Sequence, residues 1–259
     1  MNRGTALITG ASAGIGRALA REFAAGGWDL AVVARREPRL RQLADDLAHD
    51  HGVDVEVLGM DLAEPGAART LADDLADRGL TVGAIVNNVG IGTNGPFHET
   101  DLDRELDQIR LNVELPVHLT RLYLPRMVER DAGVVLNVAS MAGFNPGPFM
   151  AGYYASKAHV LSLSESLAEE LRHTGVSVTA LCPGPVATEF QDRAGMEDSA
   201  VGSTFTNTPE DVAAAGYRAA MAGDPVVVPS WPMKVVYVLS RLSPRRLLRR
   251  GGRWVNEDR

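Results

Sequence analysis

Thr5-Ala6-Leu7-Ile8-Thr9-Gly10-Ala11-Ser12-Ala13-Gly14-Ile15-Gly16 is the stretch from which the rest of the chain is best understood. Its first five residues are apolar or β-branched, the pattern of a short buried strand. Glycines interrupt the run at positions 10, 14 and 16, and residues 15–25 follow with the spacing of an amphipathic helix. Strand, glycine-rich turn and helix in this order open a dinucleotide-binding βαβ unit. Glycine lets the backbone turn tightly and approach a pyrophosphate, while the helix N-terminus offers free N–H groups and a positive dipole end. Three glycines alone mark only a turn. The elements on either side give them this meaning.

The alternation continues along the chain. Strands are expected at residues 5–9, 30–34, 54–59, 84–87, 134–138, 177–182 and 226–228. Helices are expected at residues 15–25, 38–49, 67–77, 102–110, 115–129, 151–173 and 209–221. Connections are short, nothing repeats at a fixed period, and right-handed crossovers make a parallel sheet the natural solution. The expected fold is α/β, a doubly wound parallel seven-stranded sheet of the Rossmann type. Residues 1–259 then form a single dinucleotide-binding and catalytic domain, long enough to bury a sizeable core.

Tyr153 and Lys157 stand four apart, on one face of an expected helix. A free phenol with a pKa near ~10 is a poor proton carrier at neutral pH. A neighbouring ammonium favours the phenolate, so the pair is expected to lower the Tyr153 pKa and make it a usable acid or base. Ser140 lies 13 residues before Tyr153 and just after the apolar run 134–138, at the carboxyl end of an expected strand. Open α/β sheets carry their chemistry there. Taken alone, the Tyr-x-x-x-Lys pattern has a plainer reading, a helix surface with one buried ring. Tyr154 is set aside because its partner at i+4 is Ala158.

Thr9-Gly10-x-x-x-Gly14-x-Gly16, Asn87-Asn88-Val89-Gly90, Ser140, Tyr153-x-x-x-Lys157 and Pro183-Gly184 occur in one order with compatible spacing. Together they resemble the short-chain dehydrogenase/reductase family in its single-domain form. The match spans residues 5–188, and Val89 stands where that family carries Ala, a conservative apolar change. The resemblance implies that Ser140 hydrogen-bonds the substrate oxygen while Tyr153 delivers or removes its proton. Lys157 is implied to hold the nicotinamide ribose and depress the Tyr153 pKa. Asn112, between two helical stretches, is implied to kink the helix and hold a water in the proton path from Lys157. A satisfied structural amide is its alternative. Dinucleotide contacts are implied at Gly10, Ser12, Ala13, Gly14, Ile15, Gly16, Asn88, Val89 and Gly90, with Tyr153, Lys157, Pro183, Gly184, Val186 and Thr188 around the nicotinamide. The hydride exchange itself is the cofactor's chemistry.

The second strand bears on which cofactor. Its carboxyl end reads Ala34-Arg35-Arg36. An NAD site wants Asp or Glu here for the ribose 2′-hydroxyl, whereas Arg accommodates a 2′-phosphate. Asp29 stands at the opposite end of the strand, so Arg35 and Arg36 point to NADP(H). Solvated arginines at the start of the second helix are the alternative. Asp61, followed by Leu62, either contacts the adenine, as the resemblance implies, or caps the turn before Pro65.

The substrate is expected to be a small-molecule carbonyl or alcohol. Phe144, Phe149, Met150, Phe190, Met196 and Phe205 suggest an apolar pocket or lid packing. Gly195, Gly202 and the Ser/Thr/Asn-rich residues 199–208 suggest a mobile lid. A hydrophobic ketone ranks ahead of a 3-oxoacyl thioester because these loops carry no basic cluster for a phosphopantetheine carrier. A nucleotide-binding sensor or scaffold on the same fold is the alternative class, and would typically have lost one of Ser140, Tyr153 and Lys157.

Composition sets further bounds. No run of about 18 apolar residues is present to span a bilayer, and the N-terminus leads straight into a strand without a signal-peptide pattern. The single Cys182 is expected to pack rather than react and fits a reducing, cytoplasmic setting. The six histidines show no paired ligand motif, so no metal is implied. From residue 234 to 259 the chain holds one Lys and seven Arg against Glu257 and Asp258, 8 − 2 = +6, in a chain of net −7. The body then carries −13 and would repel nucleic acid. The basic amphipathic C-terminal segment 231–253 is expected to pack through Val235, Val236, Leu239 and Leu242 on the domain or a sister subunit. Contact with an anionic membrane surface is its alternative. A homodimer or homotetramer is the expected assembly.

Overall fold

The computed structural model describes residues 3–190 and 207–257. Seven strands, β1 (Thr5–Thr9), β2 (Asp29–Ala34), β3 (Val55–Gly59), β4 (Val82–Asn87), β5 (Gly133–Val138), β6 (Val176–Leu181) and β7 (Val226–Val227), form one sheet. They are parallel throughout, in the order β3-β2-β1-β4-β5-β6-β7. Around the sheet lie α1 (Gly14–Ala25), α2 (Glu37–His51), α3 (Ala67–Asp77), α4 (Leu102–Ile109), α5 (Leu115–Glu129), α6 (Ala151–Glu170), α7 (Pro209–Ala222), α8 (Trp231–Leu242) and α9 (Arg245–Asn256).

Period-two alternation in the strands feeds two cores. Ala6 and Ile8 of β1, with Leu30 and Val32 of β2, meet α1, α2 and α7 through Leu19, Phe23, Leu40 and Val212. Leu7, Ala31 and Val33 point the other way, onto Leu71 and Leu75 of α3 and Leu119 of α5. Both faces are covered, which is why these strands are nearly all apolar. Phe23 is fully buried and meets Trp28 and Tyr217 edge-on at 5.8 and 5.0 Å. Truncating it to Ala would cost about 3–5 kcal/mol.

The expected doubly wound sheet is present, with every expected strand within two residues of its place. Two features were not expected. Between α4 and α5 the helix does not stop but passes through a π-turn at Arg110–Glu114, which widens it locally and turns Asn112 inward. The C-terminal segment is two helices, broken where Pro244 removes an amide donor and forces Ser243 into an extended conformation.

Within the chain itself, the face of α8 that packs on the body is not the one expected to do so. Met233 and Ser240 are buried, and the Tyr237 ring lies 4.6 Å from Phe144, whereas Val235, Val236, Leu239 and Leu242 are exposed. The body meets α8 along the Gly184 and Phe144 edge, and Met233 and Tyr237 are the residues that fit it. Among the described residues no helix is long and apolar enough to cross a membrane.

Candidate active site

β1 pairs with β2 on one side and β4 on the other, so the chain crosses over in opposite directions from this point and leaves a crevice at the strands' carboxyl ends. A cleft of about 410 Å³ lies there. Every residue expected to act in catalysis or to contact the dinucleotide lines it except Asn112, which sits behind the wall.

At one end is the glycine turn. Thr9 Oγ1 accepts the N–H groups of Asn88 at 3.0 Å and Val89 at 3.1 Å, while Asn88 Nδ2 donates to the Thr9 carbonyl at 2.9 Å. These bonds stitch β1 to β4. Gly10 has φ +71°, and a Cβ on Gly16 would lie 2.4 Å from the Gly10 carbonyl oxygen. Side chains are therefore excluded from both positions, leaving bare backbone. No side chain caps the N-terminus of α1, whose Gly14, Ile15 and Gly16 line the cleft. Free N–H groups at a helix start suit a phosphate, so the turn fits a dinucleotide.

The two arginines after β2 part company. Arg36 donates to Ser12 Oγ at 3.2 Å and to the Glu189 carboxylate at 2.7 Å, and Arg39 reaches the same carboxylate at 2.6 Å. Hydrogen bonds from Arg39 and Arg36 hold the Glu189 pKa down to about 2. Arg35 is more exposed and lies 3.6 Å from Asp61, whose Oδ1 also accepts the Ala63 N–H at 3.0 Å.

At the other end Ser140, Tyr153 and Lys157 converge. Ser140 caps the 3₁₀ turn Met141–Phe144, accepting the Ala142 N–H at 3.1 Å. Burial pushes the Tyr153 phenol up to about 12, and a hydrogen bond with Ser140 pulls the other way. Lys157 Nζ donates to the Val138 carbonyl at 2.8 Å and stands 5.8 Å from the Tyr153 ring centroid. Burial lowers its pKa to about 8. The expected lowering of the phenol by Lys157 is not seen: burial is the largest influence on each group, and Lys157 is not among the groups that shift Tyr153. Cys182 is buried, its thiol pushed up by burial to about 12, consistent with packing.

Asn112 is fully bonded. Its amide donates to Ile91 O at 2.9 Å and Ser156 Oγ at 3.0 Å, and its Oδ1 accepts the Ile91 N–H at 3.0 Å. Ser156 passes the contact on to the Tyr153 carbonyl at 2.7 Å. A Cβ on Gly90 would lie 2.9 Å from Asn112 Oδ1 and 3.5 Å from Lys157 Nζ. Only a glycine leaves room between them.

Of the aromatic and Met residues expected near the substrate, Met150 and Phe190 line the cleft. Phe144 turns to Tyr237, and Phe149 lies under the Arg253 guanidinium at 5.4 Å. Met196, Phe205, Gly195, Gly202 and most of the expected lid at 199–208 lie outside the described residues.

Two groups were missed by sequence reasoning, Glu189 and the end of α9. Val255 and the buried Asn256 line the cleft. Asn256 donates to Pro148 O at 3.0 Å and accepts the Tyr154 hydroxyl at 3.3 Å. No local signal marks either contact, because the partners lie 153 residues away for Glu189 and 102 for the Tyr154–Asn256 pair.

The profile of the family described as short chain dehydrogenase matches residues 4–198. The chain belongs to the short-chain dehydrogenase family. It is 38% identical over 195 residues to a very-long-chain 3-oxoacyl-CoA reductase of Anas platyrhynchos, covering 71% of this chain and 60% of that protein. The chain therefore spans about three fifths of that relative's length. Among solved structures it resembles a short-chain dehydrogenase from Sphingobium yanoikuyae in complex with NADPH, with a TM-score of 0.83, 32% identity and 94% of each chain covered. It also resembles a short-chain dehydrogenase/reductase from Burkholderia phymatum in complex with NAD, with a TM-score of 0.82, 27% identity and 95% of each chain covered. Both of these solved relatives hold a nicotinamide dinucleotide, NADPH in the first and NAD in the second.

Proposed function

We propose that this short-chain dehydrogenase is an NADP(H)-dependent oxidoreductase that interconverts a carbonyl and a secondary alcohol, acting as reductase of a hydrophobic ketone. One observation carries the reading: Ser140, Tyr153 and Lys157 share a cleft with the glycine turn and with Arg36. The N–H groups of the turn and of α1 would hold the pyrophosphate, with Asp61 and Leu62 toward the adenine. Arg36, presented beside Ser12, would take a 2′-phosphate. When bound, the dinucleotide supplies the hydride.

The chain's own groups handle the oxygen and the proton. Ser140 donates a hydrogen bond to the carbonyl oxygen and orients it. Tyr153, its pKa raised to about 12, is protonated at neutral pH and serves as the donor that a reduction needs. Lys157 would hold the ribose, and its bond to the Val138 carbonyl keeps it in place. Asn112 and Ser156 fix the first turns of α6 under Tyr153. Met150, Phe190 and Val255 give the substrate end apolar walls, which suit a hydrophobic ketone and exclude water.

A 3-oxoacyl thioester is the second reading, favoured by one contact. Arg253 of α9 stands over Phe149, so a basic helix borders loops that carry no basic cluster themselves. The presence of Ser140, Tyr153 and Lys157 together argues against a silent sensor. Exposed Leu102, Leu106 and Ile109 on α4 support a homodimer or homotetramer. The test is NADPH oxidation over a panel of ketones, aldehydes and 3-oxoacyl thioesters. Turnover with bulky ketones is expected; consumption with none of the panel overturns the enzyme reading.

A further inference from the structure

The C-terminal helices carry an amphipathic pattern turned outward. On α8 the residues at helical spacing 231, 235, 238, 239 and 242 are Trp, Val, Val, Leu and Leu, and all are exposed, Trp231 by 76% and Leu242 by 78%. Its inward face is the narrow one of Met233 and Ser240. Lys234 and Arg241 flank the outer stripe. Across Pro244, α9 adds Arg245, Arg246, Arg249 and Arg250, none of them ion-paired among the described residues, and the exposed Leu247 and Trp254. A soluble surface has little use for five large apolar side chains on one exposed stripe.

We propose that α8 and α9 form a docking surface for an anionic lipid bilayer. The stripe supplies what inserts among acyl chains, and the flanking guanidinium and ammonium groups supply what meets anionic headgroups. Charge selects this partner over a second copy of the chain. A homotypic contact on this face would set one row of arginines against another, whereas a net +6 tail on a −13 body orients the molecule with this face toward a negative surface. The inference goes beyond the catalytic reading and does not depend on it. It has a consequence for the cleft, because α9 ends in Val255 and Asn256, at the substrate end. A docked molecule would open that end close to the lipid.

The test is co-sedimentation of the full chain with phosphatidylcholine vesicles, with and without phosphatidylglycerol, no substrate or nucleotide being added. Binding to the anionic vesicles is expected, fading as salt rises, with little binding to pure phosphatidylcholine. The double variant Leu239→Glu, Leu242→Glu should lose it by roughly tenfold or more, as should the triple variant Arg245→Gln, Arg249→Gln, Arg250→Gln. These side chains are exposed, so both variants should keep the wild-type thermal midpoint and oligomer size. Failure of the wild type to bind anionic vesicles overturns the proposal. So does full binding by the double variant, or a smaller oligomer in that variant, which would mean that a second copy covers the stripe.

Discussion

Glu189 holds Arg36 in a 2.7 Å ion pair at the side of the cleft where Arg36 also touches Ser12 of the glycine turn. A carboxylate thus occupies the guanidinium fork that a 2′-phosphate would use. Arg36→Ala is expected to weaken NADPH binding by about 1.5–3 kcal/mol, the range for hydrogen bonds to charged groups, and to leave NADH nearly unchanged. Arg35→Ala should do less, since Arg35 leans toward Asp61. Glu189→Gln removes a competing negative charge and should tighten NADPH. Fluorescence titration of wild type and variants with both cofactors checks this; equal wild-type affinities for NADPH and NADH would sink it.

Tyr153→Phe removes the proton donor and is expected to cut turnover by at least the ~10²–10⁴ typical of general acid–base groups. NADPH affinity should change little. Tyr154→Phe serves as the control, because its hydroxyl meets Asn256 rather than Ser140. Steady-state rates with an accepted ketone decide between them, and an active Tyr153→Phe beside an inactive Tyr154→Phe would reverse the assignment.

Burial of Lys157 has a pH signature. Its ammonium, at 10.5 when solvated, titrates near 8 in the folded chain. Between those values the unfolded chain binds the proton and the folded chain does not, so stability rises with pH across that window. Tyr153 acts oppositely but only above its ordinary 10.0, since its folded value is raised to about 12. The buried Cys182 thiol, raised from 9.0 to about 12, acts in that same opposite sense from pH 9 upward, so the rise that belongs to Lys157 lies from pH 8 to 9. Urea unfolding should show it in wild type and lack it in Lys157→Met; parallel pH profiles for the two proteins would refute the assignment.

Asn256→Ala should cost about 1–3 kcal/mol of stability, because it strips partners from the Tyr154 hydroxyl and the Pro148 carbonyl. Both lie by the substrate end of the cleft, so KM should rise more than kcat falls. A change in NADPH affinity with KM unaltered would place the effect elsewhere.

Much of this protein was legible before folding was considered. The apolar runs of β1, β2 and β4, the glycines that follow β1 and the i, i+4 pair Tyr153 and Lys157 are local patterns. Strand and helix periods are properties of neighbouring residues, so the order of elements and the carboxyl-end position of the site could be read directly. Tertiary structure decided what depends on distant surfaces. Arg35 and Arg36 are adjacent in sequence, yet only the approach of Glu189 and Ser12 separates their roles. The i, i+4 spacing suggested a lowered phenol, yet the Tyr153 pKa is raised, because burial is summed over every group packed around the cleft. The apolar residues of α8 could be counted from the sequence, but not which of them the body would cover. That depends on the shape of the edge they meet, at Gly184 and Phe144, and the edge accepts Met233 and Tyr237.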